Sequence, residues 1–187
     1  MHRFHTLFFS LAVTILASGC SHIAPQYSAS IDNVQTLKDA GKATAKVGEF
    51  ASSKDKGNVN PISIRGSSFS SPYQDSYSNY LAEAIKQELS MAARLAPNAD
   101  IEVSGTLLKN DLDASGFSTG HAQIEARFIV KKDQQIRYDQ VKSARHEWPS
   151  SFAGAVAIPR AVQEYPNLVQ KLLASLYADQ AFINALK

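Results

Sequence analysis

Cysteine is almost missing: the 187 residues contain one, Cys20. With a single thiol no intramolecular disulfide can form. Charge of one sign is also missing, since 19 Lys and Arg stand against 17 Asp and Glu, a formal net charge of +2. That gives no electrostatic case for nucleic acid, which needs a concentrated basic patch. A long apolar run is absent too. The stretch Leu7–Leu16 covers about ten residues, and a bilayer-spanning helix needs roughly 20. Paired histidines are lacking: outside the first 19 residues there are His22, His121 and His146, none at i+3 or i+4 from another. Zinc sites usually need such pairs, so no metal is expected. No internal repeat is evident.

What the N-terminus does contain is ordered. Met1–Thr6 carries Arg3, His2 and His5, and Leu7–Leu16 is interrupted only by Ser10 and Thr14. A basic segment before an apolar stretch of 7–15 residues is the pattern of a secretory signal. Small residues follow as Ala17-Ser18-Gly19-Cys20. This junction resembles the lipobox of bacterial lipoproteins, in which a small residue precedes a cysteine that takes diacylglycerol in thioether linkage and becomes the new N-terminus. The leucine usual three places before the cysteine is here Ala17, with Leu16 one place further back. The resemblance implies that residues 1–19 are removed and that Cys20 carries a diacylglycerol and an N-acyl chain. Ser21 rather than Asp follows, which implies an outer-membrane, periplasm-facing address. The alternative is an ordinary cleaved signal that leaves the thiol free. Each buried methylene contributes about 0.8 kcal/mol, so two or three chains anchor a protein in effect permanently. No other cofactor is expected.

The remaining 168 residues are enough for one domain with a proper core. Residues 20–41 hold Pro25, several Ser and Gln and no sustained period, and read as a flexible tether with an r.m.s. span of roughly 25 Å. The competing reading makes Ile31–Val34 an edge strand. From Lys42 to Lys187 the pattern is globular. Short strands are expected at Ala43–Phe50 and Pro61–Arg65, with a Ser-rich turn from Gly66 to Pro72. Tyr77, Tyr80, Leu81, Ala84, Ile85, Leu89, Ala92 and Leu95 predict an amphipathic helix over 74–95, with Glu83, Lys86, Gln87 and Arg94 on its polar face. Strands follow at Ile101–Leu107 and Ala122–Val130, separated by a polar loop over 110–120, and a return strand runs from Ile136 toward Trp148. The C-terminal stretch through Tyr177 is helical, Pro166 should kink or divide it, and a last turn covers 180–186. The sum is an α+β two-layer sandwich: a mainly antiparallel sheet of about four to five strands under two helices.

The helix Tyr80-Leu81-Ala82-Glu83-Ala84-Ile85, the hairpin from Ile124-Glu125-Ala126 to Tyr138, Phe152-Ala153-Gly154-Ala155-Val156 and the tail Leu173–Lys187 together resemble the YajG-like group of outer-membrane lipoproteins. The likeness covers about 110 of the 168 residues. It implies an outer-membrane lipoprotein and transfers no catalytic residue.

Several motifs invite chemistry. Gly116-Phe117-Ser118-Thr119-Gly120 fits G-x-S-x-G, with Asp139 and His146 in the chain order of a hydrolase triad. That elbow requires a strand, a turn and a helix, whereas a strand is expected after it. Asp111-Leu112-Asp113-Ala114-Ser115-Gly116 opens like a calcium loop, but its twelfth position is Ala122 where a bidentate Glu belongs. Phe69 and Tyr73 precede the helix and are candidates for partner contact, as is Trp148, given the enrichment of aromatics at interfaces; each can equally plug the core. Arg127, Lys131, Lys132, Arg137 and Arg145 place positive charge on the hairpin, for water or for anionic lipid. The expectation for function is a non-enzymatic accessory module docked on an envelope protein. A carrier of apolar ligands, with a cavity lined by Ile85, Leu89, Phe128 and Leu172, and a serine hydrolase using Ser118 are the alternatives.

Overall fold

The computed structural model describes residues 20–55 and 57–187; the export signal expected over residues 1–19 lies outside the described residues. In chain order the elements are β1 (Ser21–Ile23), α1 (Ile31–Asp39), β2 (Ala45–Ser52), β3 (Ile62–Ile64), β4 (Ser67–Ser70), α2 (Tyr77–Met91), β5 (Ile101–Asp113), β6 (Thr119–Lys132), β7 (Gln135–Pro149), α3 (Gly154–Tyr177) and α4 (Gln180–Ala185). They make the expected α+β fold. The larger sheet has the order β2-β5-β6-β7, with β2 parallel to β5 and the rest an antiparallel meander. A smaller sheet, β1-β4-β3, stands apart from it.

Alternation builds the larger sheet. Ile101, Val103 and Leu107 of β5 and Ala122, Ile124, Ala126, Phe128 and Val130 of β6 are buried on one face. Helices α2 and α3 cover that face, and α1 packs on both. Strand β5 outruns its expected end because its register shifts between Leu107 and Lys109. Such a bulge breaks the period of two, after which Asn110 and Leu112 point inward. The expected loop over 110–120 therefore shrinks to residues 114–118. Gly105 is crowded from both neighbouring strands: a Cβ there would sit 2.6 Å from the Phe50 ring of β2 and 2.7 Å from the Arg127 carbonyl of β6.

Helix α2 starts where Ser76 accepts a hydrogen bond from the Asn79 amide at 3.2 Å, the usual N-cap arrangement. It is shorter than the periodicity suggests, because Gln74, Asp75 and Ala93 have positive φ. Helix α3 runs unbroken through Pro159 and Pro166. An interior proline costs about 3 kcal/mol, and here the fully buried stripe Ala161, Tyr165, Leu168, Leu172 and Leu176 opposes it.

Two further expectations are corrected. Gly66–Pro72 is not simply a turn, because Ser67–Ser70 is strand β4, pinned by the buried ring of Phe69 against Tyr77 and Tyr165. Arg94 is not on an exposed face. Its buried guanidinium donates to the carbonyls of Ala43 (2.8 Å), Leu37 (3.1 Å) and Leu186 (3.1 Å). Two of these lie at helix C-termini, where unpaired carbonyls favour a cation.

Candidate functional site

Cys20 is exposed, and its carbonyl accepts from the Ser68 amide at 3.0 Å. Ser21, His22 and Ile23 then pair with Ser68, Phe69 and Ser70. The segment that the sequence marks as a flexible tether is therefore folded. Ala24, Tyr27, Val34 and Leu37 are buried in the common core. The Tyr80 hydroxyl donates to the Pro25 carbonyl (3.0 Å), and the Tyr27 amide donates to the Tyr73 hydroxyl (3.2 Å). At the centre lies Glu88, whose Oε1 accepts from the Tyr27 hydroxyl (2.6 Å), the Ser30 amide (3.1 Å) and Asn33 Nδ2 (3.1 Å). Burial pushes the Glu88 carboxyl above its ordinary value, against the pull of these hydrogen bonds. Four apolar anchors and a buried carboxylate's hydrogen bonds override the loop-like composition. Ile31–Val34 is neither tether nor edge strand but the start of α1, capped by Ser30.

The parallel pairing of β1 with β4 puts Cys20 at the end of the small sheet that also holds its turn, Arg65-Gly66. Both turn residues have positive φ, 49° and 82°, as a two-residue hairpin loop requires. The Arg65 side chain reaches across to two other loops. It donates to the carbonyls of Ala114 (2.5 Å), Gly116 (3.1 Å), Ser151 (3.1 Å) and Phe152 (2.6 Å). The Ser150 amide ties the same two loops together through the Ser118 carbonyl at 2.7 Å. One pole of the molecule thus gathers the exposed thiol, the Arg65 turn and both loops.

The residues expected to meet a partner are mostly withdrawn from solvent. Phe69 is 0% exposed and Trp148 is 3% exposed. Tyr73 is half-buried, with its ring against Tyr80 and its hydroxyl occupied by Tyr27. Phe69 and Trp148 plug the core and Tyr73 packs against it; Trp148 fits because Gly120 beside it has no side chain. The hydrolase set is dispersed. Ser118 precedes Thr119 at one end of the β6–β7 hairpin, whereas Asp139 pairs opposite Ile129, ten positions along. At about 3.3 Å per residue that is roughly 33 Å. Asp139 instead binds Arg127 through two hydrogen bonds. A strand follows Ser118, and no helix presents it. Asp111 and Asp113 lie on β5 rather than in a calcium loop, and among the described residues no His, Cys, Asp and Glu side chains group to hold a metal ion. Ile85, Leu89, Phe128 and Leu172 are buried together in the packed core, where they fill space against one another and their neighbours. The positive charge on the hairpin is interleaved with acid: Arg127 is paired with Asp139, and Arg145 shares a cleft of about 240 Å³ with Asp111, Asp113 and Glu147.

One cluster carries no signal in the sequence. Lys171 Nζ lies 2.8 Å from His146 Nδ1, and His146 Nε2 lies 2.8 Å from Glu164 Oε2. A donating ammonium places the ring proton on Nε2, facing the carboxylate. Asn167 also donates to Glu164 (2.6 Å), and the Arg160 guanidinium pairs with the same carboxylate as an ion pair at 2.6 Å. Burial alone would raise this carboxyl, but the hydrogen bonds from His146 and Asn167 and the charge of Arg160 prevail, and it lies below the usual range. The cluster fastens β7 to α3, and the 240 Å³ cleft beside it is lined by no hydroxyl or thiol.

Among the described residues no helix is long and apolar enough to cross a membrane. No protein-family model matches the sequence, and no functionally curated protein matches it. Solved structures share the fold. A Xanthomonas campestris protein of the DUF330 family superposes at a TM-score of 0.58 and 11% identity, over 88% of this chain and 96% of that one. A hypothetical protein of Chlamydia trachomatis superposes at 0.50 and 12% identity, over 78% of this chain and 99% of that one. A Caulobacter crescentus protein, provisionally described as a lipoprotein, overlaps at 0.45 and 10% identity, over 82% and 96%, too loosely to carry an argument.

Proposed function

We propose that the chain is exported, cleaved before Cys20 and acylated there, and that it serves as a non-enzymatic accessory module of an envelope assembly on the periplasmic side of the outer membrane. The observation that carries this reading is the place of Cys20. Its thiol is exposed and strand pairing begins at the next residue, so the folded domain starts immediately after the lipobox-like junction. An acyl group at that point faces outward, where a bilayer can take it up without disturbing the core. The likeness to YajG-like lipoproteins supports the same address. The dispersal of Ser118, Asp139 and His146 supports an accessory rather than a hydrolytic role.

Fractionation tests the anchor: globomycin should cause precursor to accumulate, and Cys20→Ala should release the protein from membranes. Unchanged fractionation of Cys20→Ala would end this reading. Photo-crosslinkers at the exposed Ile31, Met91 and Val141 test the accessory role in intact cells. A discrete crosslinked band from at least one position is expected, and monomer from all three would oppose it.

A further inference from the structure

The pole that carries Cys20 also carries an exposed aromatic pair. Phe117 and Phe152 are 77% and 69% exposed, and their rings stack at a centroid distance of 5.0 Å and an interplanar angle of 16°. Val156, in the first turn of α3, is 59% exposed. Other large apolar side chains are exposed as well, and an exposed hydrophobic residue is by itself ordinary. A stacked pair held in place is different, because such patches mark interaction surfaces.

The pair is held. Arg65 donates to the backbone carbonyls of Gly116 and Phe152, the residues next to one ring and bearing the other. The Ser150 amide bonds to the Ser118 carbonyl on the far side of Phe117. A charged side chain is thus spent on fixing two loops whose tips turn phenyl rings to solvent.

Cys20 lies on the same pole. Its carbonyl is bonded to Ser68, three residues after Arg65 in the same hairpin. No slack chain separates the thiol from the domain, because β1 begins at Ser21. A two- or three-chain anchor on Cys20 therefore brings this pole, and no other, within a few ångströms of the lipid.

We propose that Phe117 and Phe152, with Val156, form the membrane-contacting surface of the domain, entering the interfacial layer of the bilayer beside the lipid on Cys20. The occupant is lipid because the anchor sets what lies opposite the patch; this rests on the acylation of Cys20. The contact fixes the orientation of the domain. The β6–β7 turn, roughly 40 Å along the hairpin at about 3.3 Å per residue, then points into the periplasm.

The test uses the acylated protein purified in detergent and reconstituted into phosphatidylethanolamine and phosphatidylglycerol vesicles. Single substitutions Phe117→Trp and Phe152→Trp report from the patch, and Ile136→Trp, exposed near the far turn, is the control; the unsubstituted protein gives the Trp148 background. The expected result is blue-shifted emission at 117 and 152, with loss of intensity when the lipids are brominated in the upper acyl chain, and neither change at 136. If the protein floats with vesicles but 117 and 152 are quenched no more than 136, the inference is overturned and the anchor stands. If it does not float and its mass shows no lipid, the anchor itself fails and the inference with it. A photo-crosslinker at Phe117 that captures a protein in cells, without quenching by lipid at 117, assigns the patch to that protein and also overturns it.

Discussion

Replacing Glu88 with alanine should unfasten residues 20–41 from the domain. One oxygen, Oε1, holds the Tyr27 hydroxyl, the Ser30 amide and Asn33 Nδ2, and the side chain is fully buried. In the alanine variant Asn33 keeps a second acceptor, the Gln170 carbonyl at 3.0 Å. The buried Tyr27 hydroxyl has none, and the half-buried Ser30 amide must find water. An orphaned buried donor costs about 1–3 kcal/mol, so the loss should be about 2–4 kcal/mol. Relief of the carboxyl's own burial keeps it from being larger. Against a total stability of about 5–15 kcal/mol, the urea midpoint should fall clearly, and amide exchange over 27–39 should quicken more than on β6. Glu88→Gln keeps an acceptor for all three donors and should lose less than about 1 kcal/mol. The two variants also separate in pH. Burial raises the Glu88 carboxyl in the folded state, so the folded protein keeps that proton to a higher pH than the unfolded chain. The Glu88 contribution to stability should therefore be fully present below the ordinary Glu range and be lost as pH rises through the raised value, and Glu88→Gln should lack this component. A midpoint for Glu88→Ala within about 0.5 kcal/mol of wild type, with unchanged exchange over 27–39, would refute the reasoning.

Asp179 has the opposite sign: hydrogen bonding from Lys142 holds its carboxyl down at about 2, so it stabilises above the ordinary Asp range and that contribution fades as pH falls toward the depressed value. Asp179→Asn should flatten this part of an acid-unfolding curve, since Lys142 (2.6 Å) and Tyr138 (3.0 Å) both lean on that carboxylate. Arg65→Met leaves four carbonyls without their donor and should cost about 2–3 kcal/mol, with faster exchange confined to 114–118 and 150–153. Gly105→Val drives a side chain into the Phe50 ring and the Arg127 carbonyl; overpacking of this kind costs about 1–3 kcal/mol or more, read as a drop in Tm.

The alternation of Ala122, Ile124, Ala126, Phe128 and Val130 spelled out β6, and Tyr77 through Leu89 spelled out α2, because burial of one face leaves a period in the chain. The N-terminal segment left none. Its anchors, Ala24, Tyr27, Val34 and Leu37, are spaced irregularly, and its fastening is polar. A clue was present: Glu88 stands three residues after Ile85, inside the apolar stripe of its helix, where a carboxylate must have partners. Ser30 before Asp32 is likewise an N-cap pattern. Phe69 and Trp148 are aromatics beside loops in the sequence, but what decides their burial is the room around them, and a missing Cβ at Gly120 has no periodicity to betray it. Phe117 and Phe152 sit 35 positions apart in sequence and become a pair only through Arg65 and the hairpin. The proposal for Cys20 rests on a signal of another kind, the local junction of small residues after an apolar run.

The intact mass of protein extracted from the membrane fraction tests the central claim most directly. The account predicts a chain that begins at Cys20 and is heavier than residues 20–187 by one diacylglyceryl group and an N-linked acyl chain. A chain that begins there with an unmodified thiol, or one that retains residues 1–19, would contradict it.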